Sequence, residues 1–175
     1  MDDNANTGDS QVWFLPWNRD RLSLEPLFKL ADDSIEQIRR YRDDGDVITA
    51  IIAKAEVIGH VQVISGGTRE IELKSIAVLE DHRRRGIGSA LLRTALRHYR
   101  ALGAERVRVS TSIASFDAIR FYLRHGFRAR AIVRDAFSIR NGYRPDAMID
   151  GLPLNDALEL EIVLRESEGP TSKGP

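Results

Sequence analysis

The sequence predicts a mixed α/β fold: a central, mostly antiparallel mixed sheet of six to seven strands flanked by about four helices. Three observations predict it. β-branched runs recur through residues 47–78 with short turn signals between them. An amphipathic stretch with helical spacing follows at residues 87–102. Shorter strand and helix patterns then alternate as far as residue 164. With 175 residues the chain suits one compact domain, being too short for two full-sized cores.

Each element has its own signal. Residues 1–10 (MDDNANTGDS) and 165–175 (RESEGPTSKGP) are polar and rich in small or breaker residues, so both are expected to be poorly ordered tails around a domain at 11–164. Gln11 to Leu15 is the candidate first strand. Leu24 to Leu30 and Ser34 to Tyr41 read as two short helices, the second opened by Asp33 or Ser34 as N-cap with Glu36 in its first turn. Gly45 stops it. Val47 to Ala53 and Val57 to Ser65 read as a hairpin joined across Lys54 to Glu56, and Gly66-Gly67 turns the chain into a third antiparallel strand, Ile71 to Val78. From Ile87 to Leu102, Leu91, Leu92, Ala95, Leu96, Tyr99 and Leu102 share one face while Arg93, Arg97 and Arg100 take the other, and Gly103 caps the helix. Val107 to Thr111 is a strand, Phe116 to His125 a helix closed by Gly126, Phe127 to Arg134 a strand, and Ala157 to Leu164 the last strand. Asp135 to Asn155 reads as irregular and longer than a hairpin needs.

Composition removes several function classes. Hydrophobic residues at 42% and charged residues at 30% fit a soluble globular chain, and no apolar run approaches the ~20 residues of a membrane span. The N-terminus is acidic where a secretory signal is basic, so the cytoplasm is the expected location. Cysteine is absent, which excludes disulfides, thiolate metal sites and a cysteine nucleophile. His60, His82, His98 and His125 show no ligand spacing, so no metal is expected. Formal charge cancels over the chain, yet residues 81–134 hold thirteen arginines against Asp81, Glu105 and Asp117, a local net of +10. Such a segment gathers anions. Helix-turn-helix, zinc-finger and aromatic RNA-binding signatures are missing, which argues for a phosphate-bearing ligand over nucleic acid. Solubilising a helix face is the bland role for most of these arginines.

The segment Arg83 to Ala90, RRRGIGSA, sits between a strand and the long helix. A helix start offers unpaired N–H groups and a positive dipole end, and Gly86 and Gly88 let a phosphate approach that backbone. A P-loop needs Lys and then Ser or Thr after its second glycine, and the pair is absent. A dinucleotide fingerprint needs a third glycine, and Leu91 stands there. The spacing that does match is Arg/Gln-x-x-Gly-x-Gly/Ala, through Arg83, Gly86 and Gly88. With it, the chain resembles the GNAT superfamily of acyl-CoA-dependent N-acyltransferases. Two further segments carry the resemblance: ELKSIAV (Glu72 to Val78) is similar to the family's fourth strand, and SFDAIRFYLRHGF (Ser115 to Phe127) to its Asn-x-x-Ala-x-x-x-Tyr-x-x-x-Gly-Phe motif, with Ser115 in place of the usual Asn.

The resemblance implies the GNAT acyltransferase fold and transfer of an acetyl group from acetyl-CoA, as co-substrate, to an amine acceptor in a ternary complex. It places Arg83, Arg84, Gly86, Ile87, Gly88 and Ser89 at the pyrophosphate, and Ile76, Ala77 and Val78 beside the pantetheine arm. Tyr122 becomes the general acid for the departing thiolate, against a plain core role beside Ala118 and Ile119. Glu72 becomes the base that strips the amine, whose pKa lies near ~10; the competing reading pairs it with Lys74 two residues on. A backbone N–H around Ile76 is the expected carbonyl donor. Ser115 is a helix cap first and a coenzyme contact second. The Asp135 to Asn155 stretch is left open between an acceptor-pocket wall, a plain excursion and a homodimer contact. A non-catalytic acyl-CoA-binding module and a nucleic-acid binder are the alternatives to an enzyme.

Overall fold

The computed structural model describes residues 5–7 and 10–164. Ten strands, four α-helices and short 3₁₀ turns follow one another along these residues. The principal sheet has the order β1(Ala5–Thr7), β2(Ser10–Pro16), β3(Asp46–Ile52), β4(Glu56–Gly67), β5(Glu70–Val78), β6(Arg106–Ser112), β10(Ala157–Val163), β7(Arg128–Val133). All neighbours run antiparallel except β5 and β6. The expected mixed sheet is therefore present, with seven long strands and the short β1 at one edge. The remaining elements are α1(Glu25–Ala31), α2(Ile35–Tyr41), α3(Ile87–Ala101), α4(Phe116–Arg124) and a two-strand ribbon, β8(Met148–Ile149) with β9(Leu152–Pro153).

Helices cover both faces. On one, α3 presses Leu91, Leu92 and Ala95 onto Val61, Leu73 and Val107. On the other, α1 and α2 bring Leu27, Phe28 and Ile38 against Val47. A strand covered on both sides reads as a continuous apolar run, and β4 is buried without a break from Ile58 to Val63. Ser34 caps α2, accepting from the Gln37 N–H at 3.2 Å. Its rival for that role, Asp33, is thereby left free to point elsewhere.

Two expectations need correction. The segment read as an N-terminal tail contributes Ala5–Thr7 to the sheet, paired with Ser10–Val12; β2 is otherwise an edge strand with open backbone groups, and polar residues satisfy these as well as apolar ones do. The 165–175 tail lies outside the described residues. The 135–155 stretch is more ordered than its composition suggests: Ile139–Asn141 is a 3₁₀ turn, and β8 and β9 are joined across Asp150-Gly151, both at positive φ. An Asp-Gly pair is a strong two-residue hairpin signal, but two-residue strands show no alternation that a sequence reading detects.

β5 carries a bulge that positions the site. Gln62 pairs with Ser75 and Val63 with Leu73, so Lys74 is the extra residue. A one-residue insertion exchanges the faces of a strand. Ile71 and Leu73 pack towards α3 before the bulge, and Ile76 and Val78 do so after it.

Candidate active site

Parallel pairing between β5 and β6 covers only Glu70–Glu72 against Arg106–Arg108. Beyond that point the strands part, and Leu73 to Val78 and Val109 to Thr111 line the two sides of a cleft of ≈ 560 Å³. The open strand edges turn backbone donors and acceptors towards it.

At one end the cleft meets the loop between β5 and α3. Arg84 and Gly86 take left-handed φ of 63° and 80°, and Gly86 is the N-cap of α3. The curl drops Ile87 into the core at 2% exposure and leaves the first-turn N–H groups without intrahelical partners. Arg83 Nε donates to the Val78 carbonyl at 3.0 Å, tying the loop to the end of β5. A Cβ on Gly88 would stand 3.8 Å from both Val78 and Phe121, so glycine keeps that wall recessed.

The opposite wall is α4. Ser115 occupies the N-cap position, but its hydroxyl makes no capping bond; with ψ at 70° it lacks the extended backbone of a capping residue, and it lines the cleft instead. Tyr122 is 5% exposed, held between Phe121 and Phe127 at ring distances of 5.3 and 5.4 Å. Its position follows from the helix end. Gly126, at φ 86°, donates to the Leu123 carbonyl at 3.1 Å, and Phe127 donates to the Tyr122 carbonyl at 3.1 Å. This is the Schellman arrangement, in which the residue after the left-handed glycine packs back on the last turn. The Tyr-x-x-x-Gly-Phe spacing is thus the spacing of a helix stop that locks the tyrosine ring. Burial pushes the Tyr122 hydroxyl well above the ordinary tyrosine pKa.

A second cavity, ≈ 360 Å³, adjoins the cleft through shared walls that include Asp33, Lys74 and Ser115. Asp32, Glu72, Phe137 and Tyr143 complete its character. The 135–155 stretch forms one side and is strapped to the start of α2: Ser34 Oγ donates to the Gly142 carbonyl at 2.7 Å, Gln37 Nε2 to the Asn141 carbonyl at 2.6 Å, and the Tyr143 hydroxyl to Asp32 Oδ2 at 3.3 Å. Desolvation raises the Asp32 carboxyl above its usual range, opposed by the Ser34 N–H and the Tyr143 hydroxyl. Glu72 lies here, 3.3 Å from Lys74 Nζ, whose charge also sits 5.2 Å over the Tyr41 ring.

The structure therefore brings Ile76, Ala77, Val78, Arg83, Gly88, Ser115 and Tyr122 to one cleft. Arg84, Gly86, Ile87 and Ser89 shape the same loop and first turn without forming the cleft wall. Glu72 belongs to the adjoining cavity, in the ion pair its alternative reading supposed. Asp32, Asp33 and Phe121 escaped the sequence reading as site residues, and Lys74 was visible only as a partner for Glu72. Asp33 was visible only as a competing cap, and Phe121 is one aromatic in an ordinary helical pattern. No group of His, Asp and Glu able to hold a metal occurs among the described residues.

The model of the acetyltransferase (GNAT) family matches residues 12–127. The chain belongs to this family. Among GNAT relatives, the Bacillus subtilis protein named N-acetyltransferase YvbK is 30% identical over 141 residues, covering 81% of this chain and 89% of the relative. A Bacillus subtilis acetyltransferase solved in complex with CoA is 27% identical, with a TM-score of 0.78, covering 88% of this chain and 99% of that one. A GNAT acetyltransferase from Elizabethkingia anophelis, solved with acetyl-CoA, shares the fold at a TM-score of 0.79 and 24% identity, over 87% and 98% of the two chains. As a GNAT member this chain is an acyltransferase that draws on acetyl-CoA.

Proposed function

We propose that this GNAT chain acetylates the primary amine of its acceptor by direct attack within a ternary complex. The observation that carries this reading is the meeting of two spaces: a cleft edged by unpaired strand and an α-helix start, and a polar cavity that opens from its wall. Arg83 and the N–H groups from Gly86 to Ser89, with Arg84 adding charge, grip the pyrophosphate of acetyl-CoA at the start of α3. The open edge of β5 at Ile76, Ala77 and Val78 holds the pantetheine arm, and a backbone N–H there polarises the thioester carbonyl. Ser115 is a further polar contact beside them.

Glu72 takes the proton of the attacking amine through a water. As the new C–N bond forms and the C–S bond breaks, Tyr122 gives its proton to the sulfur. No covalent enzyme adduct is needed, and with no cysteine in the chain a thiol relay has no candidate. The ion pair with Lys74 orients the Glu72 carboxylate inside the acceptor cavity.

A thiol-release assay over a panel of amines tests the reading. Glu72→Gln is expected to lower kcat about 10²-fold, the usual worth of a positioned base, with acetyl-CoA affinity retained. An unchanged rate removes Glu72 from the reaction.

A further inference from the structure

The acceptor cavity is walled by Asp32, Asp33, Glu72 and Lys74. Lys74 is matched by Glu72, which leaves the Asp32 and Asp33 carboxylates without an ion-pair partner among the described residues. Both stand on the turn between α1 and α2. Asp33 is released from capping because Ser34 does that work, and it lines both the cleft and the cavity. Asp32 is half-buried, and desolvation is the main influence on it; a carboxylate so placed gains from a cation brought by a ligand. Phe137 and Tyr143, which meet edge to face at 5.0 Å, line the same cavity, with the Tyr143 hydroxyl 3.3 Å from Asp32 Oδ2, and an aromatic lining favours a cation. The 135–155 stretch closes this side, and a volume of ≈ 360 Å³ is that of a small-molecule site.

We infer that the acceptor is a small molecule bearing a second positive charge besides the amine that is acetylated, and that Asp33, with Asp32 behind it, holds that second charge. The inference rests on the acetyltransferase reading above. One nitrogen must be neutral to attack, which Glu72 provides for; the other stays an ammonium and is fixed at the α1–α2 turn, away from the base. Amines carrying a carboxylate, phosphate or phosphonate in place of the second ammonium meet like charge at the same place.

Cadaverine, pentylamine and aminovalerate share one chain length and differ in the far group, so they separate the cases. With the full chain and acetyl-CoA, kcat/KM for cadaverine is expected to exceed that for pentylamine by about tenfold or more, equivalent to ~1.4 kcal/mol, with aminovalerate slowest. Asp33→Asn is expected to bring the cadaverine preference to within about threefold, and Asp33→Glu to restore it. A loss of packing alone would lower both rates and leave the ratio standing. Equal use of cadaverine and pentylamine, a preference for aminovalerate, or turnover of none of the three by a chain that acetyl-CoA still stabilises against heat each overturns the inference. Absence of any heat stabilisation by acetyl-CoA instead strikes at the acetyltransferase reading itself.

Discussion

At the scale of single residues, burial sets the protonation of the two most enclosed titratable side chains near the site. Tyr122 keeps its proton because its phenolate would be desolvated, so it remains an acid across ordinary working pH. Tyr122→Phe is expected to lower kcat about 10²-fold while equilibrium binding of acetyl-CoA is unchanged, and the wild-type kcat profile should show no loss from this group below about pH 10. His60 is the opposite case. It is fully buried against Phe28, with Nε2 2.8 Å from Ser75 Oγ, and burial lowers its pKa to about 3. Its folded-state value lies below the ~6.5 of an unfolded histidine, so the unfolded chain binds the extra proton between those values and stability falls as pH falls through them. Relative to pH 7, His60 alone should cost about 2 kcal/mol at pH 5, read as a shift in the urea midpoint. The shift should shrink in His60→Leu. The motif spacing exposed Tyr122 in the sequence because a helix stop fixes it. Nothing in the sequence separated His60 from any strand residue, since its burial depends on α1 arriving from elsewhere in the chain.

At the scale of elements, α3 contributes to the cleft, while the strapped 135–155 stretch walls the second cavity and touches the cleft only through Ile149 and Asp150. Gly88→Glu places a carboxylate on the wall of the cleft beside Val78 and Phe121, and is expected to weaken acetyl-CoA binding by more than about 100-fold, or ~2.7 kcal/mol, while the far-ultraviolet circular dichroism is unchanged. On the other side, Gly142 has φ of 80° and a Cβ there would come within 2.9 Å of the Glu36 carboxylate. Gly142→Ala, or Ser34→Ala with its lost cap worth about 1 kcal/mol, should loosen the stretch from α2. The acceptor KM then rises while the acetyl-CoA affinity stays, a split that separates the two spaces by steady-state kinetics and calorimetry. The elements themselves were legible because their patterns are strong: Leu91, Leu92, Ala95 and Tyr99 for α3, and the β-branched Val57, Ile58, Val61, Val63 and Ile64 for β4. The bulge at Lys74 was not, for it exists only in the register between β4 and β5. The docking of the stretch on α2 was equally hidden, since it depends on contacts more than a hundred residues apart, such as Ser34 with Gly142.

For the whole molecule, three of the thirteen arginines in the basic segment, Arg106, Arg108 and Arg130, are answered by glutamates on neighbouring strands. Arg106 and Arg108 pair with Glu70 on β5, and Arg106 and Arg130 reach Glu159 or Glu161 on β10. The fold therefore offsets part of the +10 local charge, and with no nucleic-acid-binding signature in the segment, retention on DNA at physiological salt is not expected. Charge summed along the chain misses this because the partners come from before and after the segment. Acetyl-CoA at ~100 times its Kd should instead stabilise the fold by about 2.7 kcal/mol, or ~5–10 °C in Tm for a chain of this size. Where that stabilisation falls follows from the parting of β5 and β6. A sheet with an open seam in its middle behaves there like two sheets with raw margins, and on the proposed mode of binding the amide-bearing arm of the coenzyme would serve as the absent strand that stitches them. Deuterium uptake should accordingly drop on acetyl-CoA binding at the β5 amides beyond Glu72, and far less at the fully paired β3 and β4.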